Sequence, residues 1–174
     1  MIGSLLVGVE TAKTLSLIWE KPVVSVNHLA AHLYANLLGT KTPTFPDICL
    51  VVSGGHTDLV IMESHGKMKW IGGTRDDAAG EAFDKSARLL GLPYPGGPSI
   101  SREAEKYIKK NSDKKLALFP RPMIDVNSYE WSFSGLKTAV SNEIKKTNNP
   151  DVEMFSAEVQ DCLLYTSPSP RDRS

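Results

Sequence analysis

The sequence has little of what marks an extracellular, membrane or strongly basic nucleic-acid-binding protein. Only two cysteines, Cys49 and Cys162, occur in 174 residues, which predicts reduced thiols rather than a disulfide framework. Twenty basic and twenty acidic residues give a formal net charge of zero, so total charge does not indicate a nucleic-acid partner. We expect no apolar run to approach the roughly 18–20 residues of a membrane span. The N-terminus also lacks a secretory signal, and the expectation is a cytoplasmic protein without membrane contact.

The composition is that of a globular protein. Hydrophobic residues make up 41% and charged residues 23% of the chain, as in ordinary folded domains. The length suffices for one sizeable core, so we expect one domain or part of a larger one.

The segment from Asp76 to Ser101 combines paired acids, small residues and a Pro-Gly-Gly loop. Asp76 and Asp77 precede an alanine-rich helical pattern, where acidic side chains cap free N–H groups and match the helix dipole. Gly91 is placed to end that helix, and Asp84 lies off its apolar stripe. Glycines in the following loop allow a ligand to approach the backbone closely.

Residues 46–74 predict a β-meander with strands at Ile48–Val52, Leu59–Met62 and Met68–Ile71. The first turn, Ser53–His56, contains two successive glycines. Such a turn allows backbone N–H groups to converge on a phosphate, although an ordinary hairpin turn would have the same sequence. His56 either faces a ligand or is a polar turn residue.

His28 and His32 are spaced i and i+4 in a predicted helix that Asn27 caps. Both imidazoles therefore project from one helix face, where they can share a metal ion. We expect their ring nitrogens to lie on the order of 3–4 Å apart and both rings to face the same cavity as the turn Ser53–Gly55. Two half-buried histidines without a metal are the alternative, and two ligands alone are fewer than a stable site requires.

The remaining segments predict further elements: a helix over 1–20, a short strand Val23–Val26, a solvated charge run Lys109–Lys115, a strand Asp125–Phe133, and helices Leu136–Lys146 and Val152–Leu164. Ser134 at a helix start either caps the helix or binds a phosphate. Residues 165–174 have no apolar periodicity and are expected to be a tail unrelated to the fold.

Four strings of the sequence together resemble the TsaD family, the tRNA adenosine threonylcarbamoyltransferases. They are VNHLAAH at 26–32, LVVSGGHT at 50–57, DDAAGEAFDKSARLLGLPYPGGPSIS at 76–101 and SFSGLKTAV at 132–140. The resemblance covers about residues 3–163 and implies an α/β actin-like ATPase (ribonuclease H-like) fold. It also implies truncation at both ends. Residues 1–38 would end the N-terminal lobe with the metal-binding helix, 39–164 would form the central nucleotide-binding portion, and 165–174 the tail.

The resemblance further implies transfer of a threonylcarbamoyl group from threonylcarbamoyl-adenylate to N6 of the adenosine beside the anticodon, in tRNAs reading codons that begin with A. By match to the family's motifs, the expected substrate-binding residues are Val51, Val52, Ser53, Gly54, Gly55, Asp84 and Gly97. Asp84 is expected to accept a hydrogen bond from a ribose hydroxyl. No protein nucleophile is required, because the exocyclic amine of the tRNA base attacks directly.

The same resemblance implies one divalent metal ion, iron or zinc, on His28 and His32, with a third, aspartate ligand that this chain does not contain. Expected partners are tRNA and, in bacteria, TsaB-like and TsaE-like proteins, and the chain alone is expected to be inactive. A nucleotide-binding actin-like or Hsp70-like module without transferase activity is the alternative. A metalloprotease is disfavoured, because Leu29 stands where an HExxH protease needs glutamate.

Overall fold

The computed structural model describes residues 2–39, 44–111, 116–121, 123, 127–147 and 150–166. The chain divides into two compact units, Met1–Thr42 and Pro43–Ser174.

The first unit contains a long apolar helix, α1 (Ile2–Trp19), which has no buried residues. Its only charged side chains are Glu10 and Lys13, and they pair with each other at 2.7 Å. The expectation that no apolar run reaches membrane length is therefore wrong, since α1 is long and apolar enough to cross a membrane. Glycine, serine and threonine residues separate the apolar residues of α1, which is why the sequence does not show one continuous apolar run. A signal sequence near the N-terminus passes the same test of length and composition, and the absence of membrane contact stays a prediction.

The rest of the first unit contains α2 (His28–Ala35) and a short 3-10 helix, Asn36–Leu38. Asn27 is the N-cap of α2, as expected, because its side-chain oxygen accepts a hydrogen bond from the Ala30 N–H at 3.1 Å. The predicted strand Val23–Val26 is wrong, since residues 21–27 have no regular secondary structure. β-Branched residues favour extended backbone but still require a partner strand, and no strand lies within residues 2–39.

The second unit begins with the predicted meander: β1 (Asp47–Val52), β2 (Thr57–Ser64) and β3 (Lys67–Gly73) form an antiparallel sheet in the order β1-β2-β3. Leu50 pairs with Leu59 and Val52 with Thr57 across the first hairpin. Leu59 is 3% exposed and joins the main core, whereas Leu50 on the outer strand is half exposed.

Two helices follow the sheet, α3 (Ala79–Leu89) and α4 (Gly96–Lys110). Gly91 has a positive φ of 72° directly after α3, which confirms that it ends this helix. The buried alanines Ala82 and Ala87 allow α3 to lie close to its neighbours.

Two more helices complete the unit, α5 (Ser134–Lys146) and α6 (Val152–Thr166). Their buried side chains, with those of β2, α3 and α4, form the main core, whose largest fully buried members are Trp131, Phe133, Phe155, Ile100, Leu136, Val140 and Val159. The sheet and the helices together confirm the predicted α/β class.

Two predicted segments differ from the structure. Residues 127–133 form no strand, and Trp131 makes a single parallel bridge to Thr74; residues 125 and 126 lie outside the described part of the chain. Helix α6 continues to Thr166, two residues past its expected end. In the charge run, Lys109 pairs with Glu105 and Lys110 with Glu153, whereas residues 112–115 are not described.

Candidate nucleotide site and histidine pair

The glycine turn Ser53–Gly55 rests directly on the first turn of α3. The Gly80 N–H donates to the Ser53 carbonyl at 3.2 Å, and the Ala79 N–H donates to the Thr57 hydroxyl at 2.8 Å. A Cβ at Gly80 would lie 2.8 Å from the Gly54 Cα, closer than carbon atoms pack. Glycine at position 80 is therefore what allows the turn to approach the helix.

The amides of the turn are partly engaged by the turn itself. The Ser53 hydroxyl accepts hydrogen bonds from the Gly55 N–H at 3.3 Å and the His56 N–H at 3.0 Å. These are two of the N–H groups that were expected to converge on a phosphate. An anion would therefore replace the serine oxygen as their acceptor.

Asp84 lies on the same face of α3 as Gly80, because the two residues are one helical turn apart. One of its carboxylate oxygens, Oδ1, accepts the Gly96 N–H at 2.7 Å and so holds the start of α4 against α3. Asp84 also lines a cavity of about 100 Å3 together with Ala87, Arg88, Leu92, Pro93, Tyr94 and Gly96. The geometry leaves Oδ2 as the oxygen with which Asp84 could accept a ligand hydroxyl.

The glycines of this region fall into two groups. At Gly80 and Gly96 a Cβ would lie within 2.8 Å of backbone atoms, whereas at Gly54, Gly55 and Gly97 it would meet nothing within 4 Å. Gly54, Gly55 and Gly97 also have no positive φ that would require glycine. Packing therefore explains only the first group, and an approaching ligand would account for the second.

The two predicted valines lie in β1 with opposite orientations. Val51 is 7% exposed, and Val52 is 56% exposed. The Val51 side chain can therefore affect a ligand only by supporting the turn. The structure thus connects the Ser53–Gly55 turn to the first turn of α3 and connects Asp84 to the start of α4, while the role of each predicted residue in binding stays a prediction.

Asp76 has a role that the sequence did not predict. Its carboxylate accepts hydrogen bonds from Ser132 Oγ, from the Phe133 N–H at 2.8 Å, and from the Ser134 N–H at 3.0 Å and hydroxyl at 2.8 Å. Burial raises its pKa, but these hydrogen bonds outweigh that effect and hold the pKa below its ordinary value.

The expected cap of α3 is therefore wrong: Asp76 binds α5 instead, and the N-cap of α3, Ala78, makes no side-chain hydrogen bond. Asp77 pairs with Lys85 at 2.6 Å. Ser134 neither acts as the N-cap of α5 nor has a free amide, since both its N–H and its hydroxyl donate to Asp76. The contact spans 58 residues, so no local pattern could have indicated it.

His28 and His32 lie one turn apart on α2 with their Nε2 atoms 3.2 Å apart, inside the expected 3–4 Å. Two bonds of about 2.0–2.1 Å meeting at a tetrahedral angle would place the nitrogens roughly 3.3 Å apart. The pair therefore fits a shared zinc or iron ion, and a direct hydrogen bond between the rings fits equally well. Among the described residues no third histidine, cysteine or carboxylate completes a metal-binding group. The expectation that the pair faces the same cavity as the glycine turn stays a prediction.

Comparison with known proteins gives matches that extend across both units. The model of the TsaD family, tRNA N6-adenosine threonylcarbamoyltransferase, matches residues 1–170, which includes part of the segment expected to depart from the family. A protein named tRNA N6-adenosine threonylcarbamoyltransferase from Syntrophomonas wolfei is 50% identical over 167 residues, covering 94% of this chain and 48% of its own length.

Relatives of the same name give similar matches. The protein from Thermomicrobium roseum is 53% identical, and the match covers 80% of this chain and 38% of the relative. The protein from Staphylococcus epidermidis is 46% identical, and the match covers 91% of this chain and 45% of the relative. The chain thus spans about half the length, or less, of the curated relatives it matches. Because the family model covers nearly the whole sequence, the chain belongs to the TsaD family and has its actin-like ATPase fold.

Proposed function

We propose that this chain supplies the adenylate-binding part of a tRNA N6-adenosine threonylcarbamoyltransferase. The observation that supports this most is that the glycine turn contacts the first turn of α3, one helical turn before Asp84. A Cβ at Gly54, Gly55 or Gly97 would meet no atom within 4 Å, and one oxygen of Asp84 accepts the Gly96 N–H. A bound nucleotide would have its phosphate at the turn and its ribose near Asp84.

The proposed reaction is acyl transfer to the exocyclic amine of adenosine in tRNA. The amine nitrogen forms a bond to the carbonyl carbon of threonylcarbamoyl-adenylate, the bond from that carbon to the phosphate oxygen breaks, and AMP leaves after the nitrogen has lost a proton. Charge develops on the carbonyl oxygen and on the departing phosphate. Backbone N–H groups of the turn at Ser53–His56 would stabilise the phosphate charge, since preorganised donors are most effective where charge accumulates.

His28 and His32 would hold one divalent metal ion, iron or zinc, in the first unit. A bound cation supplies positive charge that neutralises phosphate and polarises a carbonyl oxygen. The two imidazoles would fix the ion from one face of α2, and a third ligand would have to come from outside the described residues.

The lobe assignment and the partners belong to the same proposal. Residues 1–38 would end one lobe, and residues 39–164 would begin the next. The acceptor would be the adenosine beside the anticodon of tRNAs that read codons beginning with A, and TsaB-like and TsaE-like proteins would assist in the bacterial cytoplasm.

A chimera tests this function. Residues 2–166 of this chain would replace the matching half of the Syntrophomonas wolfei relative, and threonylcarbamoyl-adenosine would be measured in tRNA by mass spectrometry. We expect the chimera to form the modified nucleoside and its Asp84→Asn variant to lose most of this activity. A folded chimera that modifies no tRNA would contradict the proposal.

A nucleotide-binding module without transferase activity is the second candidate, because the glycine turn and the Asp84 cavity are features that nucleotide binding without transfer would use as well. The same chimera distinguishes the two functions. Such a module would bind AMP through the same residues and leave the tRNA unmodified.

A further inference from the structure

The carboxylate of Asp76 joins two segments that are far apart in sequence. One is the loop between β3 and α3, to which Asp76 belongs, and the other is Ser132–Ser134 at the start of α5. The junction continues on both sides of Asp76: the Arg75 N–H donates to the Trp131 carbonyl at 2.8 Å, and the Trp131 N–H donates to the Gly73 carbonyl at 3.1 Å.

The same loop holds the glycine turn on its other side. The Thr74 N–H donates to the Thr57 carbonyl at 2.9 Å, the Ala79 N–H to the Thr57 hydroxyl, and the Gly80 N–H to the Ser53 carbonyl. Ser53 is the first residue of the turn, and Thr57 begins β2 directly after it. Residues 74–80 are therefore a link between α5 and the turn.

We propose that Asp76 is a positioning residue for the nucleotide site: by holding the start of α5, it fixes the loop that in turn fixes the glycine turn. This inference rests on the proposed function, because it concerns the same turn. A carboxylate suits the task, since both oxygens accept hydrogen bonds and the N-terminal amides of a helix have no partner within the helix.

Asn at this position would preserve part of the link. Asp76 Oδ1 accepts the Phe133 and Ser134 amides, while Oδ2 accepts the two serine hydroxyls. An asparagine retains one acceptor oxygen for both amides, and its NH2 group can donate to the hydroxyls. Alanine removes all of these contacts.

Asp77 and Glu158 provide matched controls. Asp77 is the next residue, but its carboxylate pairs with Lys85 of α3 and does not contact α5. Glu158, which is 8% exposed on α6, accepts the Ala117 and Leu118 amides. We therefore expect Glu158→Ala to destabilise the second unit through hydrogen bonds that involve neither residues 74–80 nor the turn.

The experiment uses the whole chain and two measurements, AMP affinity by calorimetry and amide hydrogen exchange by NMR. In Asp76→Ala we expect AMP binding to be roughly tenfold weaker. The amide exchange rates at Ser53, Ala79 and Gly80 should increase, and by a larger factor than the exchange rates of amides in the middle of α6. We expect Asp76→Asn to restore most of the AMP affinity and most of the slow exchange at the turn. Asp77→Ala should match the wild type in both measurements. Glu158→Ala should change exchange in α6 without this local change at the turn.

Two results would overturn the proposal: wild-type exchange at the turn in Asp76→Ala, or equal changes there in Glu158→Ala. If the wild-type chain binds no AMP, the proposed function fails in this chain. The exchange measurements would still decide whether Asp76 positions the turn.

Discussion

Single glycines show which parts of the candidate site serve packing. We expect Gly80→Ala and Gly96→Ala each to lower the free energy of unfolding by about 1–3 kcal/mol, as overpacking does, because the new methyl group would lie 2.6–2.8 Å from backbone atoms. Gly54→Ala and Gly97→Ala are the controls and should change it by less than about 1 kcal/mol. Urea unfolding measures all four, and a destabilising Gly97→Ala would show that this glycine has a packing role.

Asp76 should give stability a defined pH dependence. Its lowered pKa means that its contribution is fully present above its ordinary value of 3.8 and is lost as pH falls through the lower, folded-state value. The wild type should exceed Asp76→Ala by about 1 kcal/mol at pH 5–7, a typical value for a helix cap.

That difference should shrink below about pH 4. Urea unfolding of both proteins at pH 3, 5 and 7 checks this. A difference that grows on acidification would contradict the assigned hydrogen bonds.

At the scale of elements, local sequence patterns predicted what depends on neighbours in sequence. Short apolar runs and the turn Ser53–His56 specified the meander, Asn27 marked the start of α2, and Gly91 marked the end of α3. The strand expected at Val23–Val26 failed because strand formation depends on a partner elsewhere in the chain. The expected cap at Asp76 failed for a related reason: its acceptor oxygens meet a helix 58 residues away, which only the folded chain brings near.

Helix α6 anchors the segment 116–121 through its own buried side chains. Glu158 accepts two backbone amides, Asp161 pairs with Arg121, and the Cys162 thiol donates to the Pro120 carbonyl at 3.2 Å. We expect Glu158→Ala to cost about 1–3 kcal/mol, because two partly buried hydrogen bonds to a charged carboxylate are lost.

Glu153→Ala, which breaks only the more exposed pair with Lys110, should cost about 0–1 kcal/mol. Thermal or urea unfolding of the two variants compares them directly. Equal losses would show that the Glu158 hydrogen bonds add nothing beyond a surface ion pair.

At the scale of the whole molecule, the histidine pair tests whether the first unit contributes a metal site. We expect His28→Ala and His32→Ala each to weaken Zn²⁺ binding more than about tenfold, since even a residue that only supports a metal ligand is worth roughly 10–100-fold. His65→Ala is the control, because this histidine lies in the second unit with its ring 4.9 Å from that of Phe45. Competition with a chromophoric chelator gives the affinities, and unchanged binding in both variants would leave the pair as hydrogen-bonded histidines.

The central claim is that α3 and the glycine turn bind the adenylate, and calorimetric titration with a stable threonylcarbamoyl-adenylate analogue tests it most directly. The chain should bind the analogue, and Asp84→Asn should bind it roughly tenfold more weakly. The asparagine oxygen can still accept the Gly96 N–H, but its neutral NH2 group forms a weaker hydrogen bond to a ribose hydroxyl than the charge-assisted bond that a carboxylate forms. Glu105→Gln, on the exposed face of α4, should match the wild type. Equal affinity of Asp84→Asn and the wild type, or no binding by the folded chain, would contradict the account.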